Sequence, residues 1–516
     1  MRIDYLEIRS PWKNLGGFSV DFDETRDVAV IIGRNGSAKS NLLEAVIWIF
    51  RNIDLGEPAL FSYELRYKFE DKNVVVTAEI GKFPAGKVND ESVALDALRD
   101  DWSPRHLVGY YSGVSDRFEE LFRKHDLLAR NLTLTPPSSS SSKSDKLQLR
   151  QYVCARPIHG LFALLAFYLS KDKGVDEFLL DMPRIESFDS ALLVIHKPSW
   201  ARKGFGPDKF WGAKGPVLDL LKCMRKNSLA PFSLKRRVKL DFSKSKTREL
   251  IYLYLPDLQA LQAVAGEYGD DPCAFFQALD TMRLSDLIED FRVRVRVAGV
   301  KDAIHTRQLS EGEQQILSVL GLMRFTRNSE SLYLLDEPDT HLNPAWSVQY
   351  LEILRKIGGI EKRSHTLIAT HDPLLVSGLC RQEIRALTRL SNGRVTAAEP
   401  EKDPRGTGVA GVLTSPLYGL ESQLDGFSLS VLKRIYEVSF WDQSPGKTRH
   451  LARLRKLLPA IETAETSPDP YRNIARDAYQ LAQEDVLKMD EPGDRKKRII
   501  DKLATKLIEE ATEGLS

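Results

Sequence analysis

A β-branched run from Val28 to Ile32 leads directly into Gly33-Arg34-Asn35-Gly36-Ser37-Ala38-Lys39-Ser40 and then into the apolar stretch NLLEAVIWIF. No other feature of the chain restricts its fold as much. A buried strand, a glycine-rich turn and a buried helix, in that order, open a βα unit, and such units build parallel sheets covered by helices. The turn also brings backbone N–H groups and a helix N-terminus to one point, which is what a phosphate needs. Lys39 would reach the terminal phosphates of ATP, and the Ser40 hydroxyl would face a Mg²⁺ ion. Gly33, Asn35, Gly36, Ser37 and Asn41 complete the candidate cradle. Ala38 stands where the GxxxxGK[ST] spacing has glycine. If that backbone needs a positive φ, the Cβ strains the loop, and slowed turnover is expected.

Three further motifs lie far downstream. Leu332-Tyr333-Leu334-Leu335-Asp336-Glu337 reads as an apolar strand ending in two carboxylates. Asp336 suits a Mg²⁺ shell and Glu337 suits polarising an attacking water. Upstream of it, Leu309-Ser310-Glu311-Gly312-Glu313 precedes an apolar helix, so Ser310 and Gly312 could offer a hydroxyl and N–H groups to a phosphate. The same residues also fit a capping box, with Ser310 as N-cap and Glu313 three positions on. Beyond the strand, Thr366-Leu367-Ile368-Ala369 runs into Thr370-His371-Asp372-Pro373.

Taken in order, the phosphate loop, LSEGE, LYLLDEP and THDP resemble the ATPase head of the ABC/SMC/RecF-like class, over roughly residues 1–90 and 300–390. The resemblance implies an α/β fold: an ABC-type head with an inserted mixed α/β lobe and a C-terminal helical region. It implies ATP and Mg²⁺ as ligands, and a head-to-head homodimer or higher homo-oligomer with ATP in the interface. Ser310 and Gly312 would then contact the γ-phosphate held by the other copy. Asn343 in EPDTHLNP would belong to the D-loop, where many relatives have aspartate, and His371 would sense the γ-phosphate. For a Q-loop the chain offers only Gln148 and Gln151 in the right interval.

Lys39 and Ser310 stand 271 positions apart, with neither a sustained heptad repeat nor a CxxC pair between them. A long coiled-coil arm is thereby excluded. The expected organisation is 1–95 and 300–424 as the two halves of the head, 96–299 as a compact lobe, and 425–516 as helices. The low-complexity TPPSSSSSKSDK, residues 135–146, falls inside the lobe, and a basic cluster at residues 495–498 falls inside the tail.

The whole chain carries a net charge of only +2, so nucleic-acid binding has to be sought locally. Residues 197–249 hold fifteen Lys/Arg against four Asp/Glu, a net +11 in 53 residues. Trp200, Phe205, Phe210 and Trp211 are interleaved with those cations, as in segments that grip a phosphate backbone and stack on bases. Arg225, Lys226, Lys235, Arg236 and Arg237 are the candidate DNA contacts. A solvated basic face with inward aromatics, or one that docks an acidic protein, fits the same pattern.

The four cysteines are widely spaced, the opening MRIDYLEIRS lacks a signal-peptide pattern, and no apolar run approaches the roughly 20 residues of a membrane span. A cytoplasmic protein without membrane contact is expected. Short arm, tight head and helical tail together resemble the PtuA-type ATPases of Septu systems and retrons and related restriction-system ATPases. That likeness implies an ATPase sensor in anti-phage defence that controls a separate nuclease, commonly of the HNH type. The alternative is a RecF-like repair clamp acting directly on DNA. A built-in Toprim nuclease is not expected, since residues 390–516 contain no DxD pair.

Overall fold

The computed structural model describes residues 1–516 except 24, 135–149, 171, 240–244, 328, 360–362, 421–423, 440–443, 458–497, 503, 504 and 507–516. The TPPSSSSSKSDK segment, Gln148 and residues 495–497 of the basic cluster therefore lie outside the described residues. Residues 1–419 form one compact unit and 420–516 a second.

At the centre of the first unit is a seven-stranded sheet. Its order is Val395–Ala398, Ile384–Arg389, Val28–Gly33, Ser364–Ala369, Ser331–Asp336, His106–Tyr111 and Tyr152–Cys154. All neighbours are parallel except the edge strand Val395–Ala398. Period-2 alternation splits its side chains between two cores. Ala29, Ile31, Leu332, Leu334 and Leu367 face one way, while Val28, Val30, Tyr333, Leu335 and Ile368 face the other. Because both faces are covered, these strands are apolar throughout, as parallel strands are.

The helix Lys39–Leu55 shares the first core with a six-stranded antiparallel sheet built from Arg2–Ile8, Phe18–Asp21, Tyr63–Phe69, Lys72–Ala78, Ala85–Val88 and Glu91–Val93. Its Leu42, Leu43, Ala45, Val46, Ile47, Ile49, Phe50 and Ile53 are all buried, a distribution around the whole axis that only a helix held between two layers needs. Tyr63–Phe69 and Lys72–Ala78 form a hairpin that pairs Phe69 with Lys72, so Glu70 and Asp71 make its two-residue turn. Glu70 takes φ 53°, the positive value such turns require.

On the opposite face, the helix Pro157–Phe167 crosses Glu311–Thr326 at close range. A Cβ on Gly321 would come within 2.1 Å of Ala163 Cβ, and one on Gly160 within 2.7 Å of Ser318 Oγ, so both glycines are required by the approach. The same core runs on without a break into a five-stranded antiparallel sheet, ordered Phe232–Lys239, Ser245–Leu255, Ile185–His196, Ile288–Val297 and Ile304–His305. Helices Gly215–Asn227, Leu258–Gly266 and Pro272–Leu284 cover it. Within the expected lobe 96–299, the strands His106–Tyr111 and Tyr152–Cys154 are instead members of the central sheet.

In the second unit, the helices Gly426–Ser439 and Pro445–Lys456 pack against each other. Among the described residues, no helix is long and apolar enough to cross a membrane.

Candidate nucleotide-binding site

The parallel registers align the carboxyl ends of the central strands. Asp336 pairs with Ala369 and with Tyr111, and Gly33 pairs with Leu387. Loops leaving these ends meet on one edge, the place where open α/β sheets bind ligands.

Gly33 turns the chain where a Cβ would come within 2.5 Å of both Leu387 O and Ser37 Oγ. Gly36 follows at φ 80°, and Ala38, the N-cap of the helix Lys39–Leu55, sits at φ 76°, ψ 15°. The conditional strain at Ala38 is therefore present in the backbone. Lys39 is nearly buried and donates its Nζ proton to Gly33 O at 2.9 Å. Burial pushes its ammonium pKa down, while Glu337, Asp336 and Asp339 hold it up. Ser37 Oγ is buried without a hydrogen-bond partner among the described residues.

Asp336 ends its strand at 1% exposure, and neither carboxylate oxygen makes a hydrogen bond of good geometry among the described residues. Burial pushes its carboxyl up to about 6, against the Ser40 hydroxyl, Arg117 and Lys39, which pull it down. Glu337 follows at φ 51°, its N–H donating to Ala369 O at 2.7 Å. That kink turns the side chain so that Oε1 lies 3.1 Å from Nδ1 of His371. Thr370 Oγ1 donates to the buried Asp339 at 2.7 Å, and burial pushes Asp339 up to about 6 as well.

The remaining expected residues serve local structure in the single chain. Ser310 caps the helix Glu311–Thr326 in a full capping box with Glu313. Gly312 is fixed by the loop opposite, since a Cβ there would sit 2.4 Å from His341 O. Asn343 caps the helix Pro344–Ile353, its Oδ1 accepting from Trp346 N at 3.0 Å. Asn41 is bridged to Asn14 and Arg117, and Asn14 Nδ2 donates to Gly36 O at 3.4 Å. Asn14 and Arg117 thus brace the phosphate loop, a role absent from the sequence reading. The side-chain amide of Gln151 donates to Pro104 O at 2.8 Å, and this residue precedes the amino end of Tyr152–Cys154. It is therefore on the edge away from the loops, whereas Ser112, next after His106–Tyr111, lies 3.4 Å from Thr340.

The aromatic side chains of the basic segment require a correction. Phe210 and Trp211 are buried, Trp211 Nε1 donating to Glu249 at 3.0 Å, and Trp200 Nε1 donates to Ser285 O at 2.6 Å. An indole with its N–H satisfied inside the lobe does not offer a stacking face to a strand. Of the four, Phe205 alone is exposed, at 42%. Lys226, Lys235, Arg236 and Arg237 are exposed, and Arg225 bonds Asp208 at 3.2 Å.

Residues 229–377 match the family described as "AAA domain, putative AbiEii toxin, Type IV TA system". That stretch, under a third of the chain, is similar to an AAA-family domain. The matched stretch of that domain takes in Ser310, Asp336, Glu337 and His371, and the phosphate loop joins them through the strand Val28–Gly33. The chain is also 29% identical over 119 residues to the Septu protein PtuA of Bacillus mycoides (strain KBAB4), which is 22% of this chain and 16% of that relative. It therefore spans about a sixth of that relative's length. Among solved structures, the SMC head domain from Thermotoga maritima aligns over 78% of this chain and 100% of its own, at 13% identity and a TM-score of 0.34. The recombination mediator protein RecF of the RecFOR pathway aligns over 77% and 97%, at 13% identity and a TM-score of 0.30. Values this low add nothing to the geometry.

The chemistry of the donor set fits a magnesium nucleotide. Among the described residues no three His, Cys, Asp or Glu side chains gather into a protein-only metal cage. Mg²⁺ needs no such cage, because it is held by one or two carboxylates together with phosphate oxygens. A buried carboxylate with free lone pairs next to Ser40 meets that need.

Proposed function

We propose that this protein is the ATP-binding and ATP-hydrolysing sensor subunit of a bacterial anti-phage defence complex, which controls a separate nuclease through ATP-dependent dimerisation of its heads in the cytoplasm. The supporting observation is the convergence of Lys39, Asp336 and the Glu337–His371 pair at one sheet edge, in a chain that shares a segment with a Septu PtuA.

The loop from Gly33 to Ser40 binds the phosphates through its N–H groups and Lys39. Asp336 and Ser40 would hold Mg²⁺, which when bound neutralises phosphate charge. Glu337 takes the proton of the attacking water, and His371 fixes the orientation of that carboxylate. Ser310 and Gly312 act on the γ-phosphate bound to a second copy, so ATP joins two heads and hydrolysis releases them.

Lys39→Ala should abolish nucleotide binding in an equilibrium assay with a fluorescent ATP analogue. Glu337→Gln should keep binding and lower turnover by about 10²- to 10⁴-fold. Affinity purification of Glu337→Gln from its native host should co-elute a nuclease in fixed stoichiometry. An eluate holding nucleic acid and no second protein would move the assignment to a repair clamp.

A further inference from the structure

The basic lobe contains a concavity that the nucleotide site does not use. It lies between the turn at Phe205–Gly212 and the helix Gly215–Asn227, with a volume of about 780 Å³. Its walls are apolar: Phe205, Phe210, Ala213, Leu218 and Pro231. Its rim is cationic: Arg202, Lys209, Lys214, Lys222, Arg225 and Lys226, against the single acid Asp208. Asp208 is already engaged by Arg225 at 3.2 Å.

We propose that this concavity binds single-stranded nucleic acid, taking a base against the apolar wall and the flanking phosphates on the rim. Three observations carry the assignment. First, aromatic and cationic groups are paired at the wall, with Lys209 Nζ 5.8 Å from the Phe205 ring centre and the Arg225 guanidinium 5.6 Å from that of Phe210. The exposed Phe205–Lys209 pair presents a π-face and a charge to one nucleotide unit, while the buried Phe210 ring only backs the Arg225 guanidinium. Second, the wall is held in place by unfavourable backbone. Phe210 and Trp211 take φ 45° and 52° in succession before Gly212, and strained backbone of this kind gathers where a ligand is clamped. Third, the cationic rim continues past Pro231 into the edge strand Phe232–Lys239, where Lys235, Arg236 and Arg237 are exposed. In that hairpin Arg236 stands directly opposite Arg248, whose guanidinium is already engaged by Glu289. An acidic protein would satisfy the rim and leave the apolar wall unused. A nucleotide unit uses both.

A free nucleotide offers the same chemistry as one unit of a strand, so the test has an arm for each. Fluorescence anisotropy on the full chain would follow a labelled single-stranded oligothymidylate and oligouridylate of about 15 nucleotides, spanning one site of this kind, with UMP as competitor. The oligonucleotides should bind with affinity that falls as salt rises. Phe205→Ala should weaken binding about tenfold, since alanine removes one stacking partner. Lys222→Glu with Lys226→Glu should weaken it further and flatten the salt slope by roughly 1.4, at about 0.7 per phosphate contact. These side chains are exposed or only half-buried, and a thermal melt with unchanged midpoint would show that the variants fold. Equal affinity of all variants for the oligonucleotides, or no binding by wild type, overturns the proposal. UMP binding as tightly as the oligonucleotides, with the same loss in Phe205→Ala, overturns the strand and leaves a free-nucleotide pocket.

Discussion

Ala38 carries a Cβ at φ 76°, ψ 15°, in the region where L-residues are strained by about 1 kcal/mol or more. Ala38→Gly should therefore raise the unfolding free energy by about 1 kcal/mol, read by denaturant titration, and speed turnover if strain in the loop limits it. A lower stability would show that the helix start, and not the loop, sets the cost. Asp336 gives a pH signature. Its carboxyl is raised to about 6 by burial, so between about pH 4 and 6 the ligand-free folded protein keeps a proton that the unfolded chain has lost. Stability from this group is thus lost as pH rises through 6, on the order of 3 kcal/mol in all. Asp336→Asn should raise the melting temperature of ligand-free protein at pH 8. Mg²⁺-dependent nucleotide binding should strengthen from pH 5 to 7 in wild type and be absent in Asp336→Asn. A pH-independent affinity would contradict the role given to this carboxylate. That Glu337 and His371 lie together was legible in the sequence from the strand-end position and the motif order, and they meet at 3.1 Å. Arg117 and Asn14 were not, because their contacts to Asn41 span 76 and 27 positions with no periodic signal between.

At the level of elements, the helix Arg117–Leu134 has a particular position. Its first residue bonds Asn41 and Glu44 on the phosphate-loop helix. Eighteen residues give it about 27 Å. Near its far end Arg130 approaches Ser199 and Asp286 in the lobe. Between them, Asp126 joins Arg150, which also bonds Asp280 at 2.8 Å. Asp280 further takes Arg283 at 2.8 Å and His159 at 3.1 Å. Burial opposes ionisation of Asp280, yet Arg150 and Arg283 outweigh it and hold the carboxyl well below its usual range. Asp280→Ala would leave Arg150 and Arg283 to share Asp126 alone, which costs up to about 3–5 kcal/mol. A fall in stability within about 1 kcal/mol of wild type would show that water replaces the carboxylate. Strands in the head were readable from β-branched runs. The membership of His106–Tyr111 in the central sheet was not, since HLVGYY is short and lies among lobe sequence. The direction of Phe210 and Trp211 was equally hidden, because a turn with successive positive φ has no inside–outside period to read.

For the whole molecule, the single chain holds the Gly33–Ser40 loop, Asp336, Glu337 and His371 on one edge, and spends Ser310 and Gly312 on a helix cap and a close approach. Both uses leave the Ser310–Glu313 capping box exposed at the start of Glu311–Thr326. A second head could therefore be met there without undoing any buried contact. The central claim is that ATP joins two such heads. Sedimentation velocity of Glu337→Gln, with and without Mg·ATP, tests it most directly, alongside the same protein carrying Ser310→Arg. A shift to a species of at least twice the mass with ATP, lost again when Ser310→Arg is added, is the predicted result. An unchanged mass with ATP bound would contradict it.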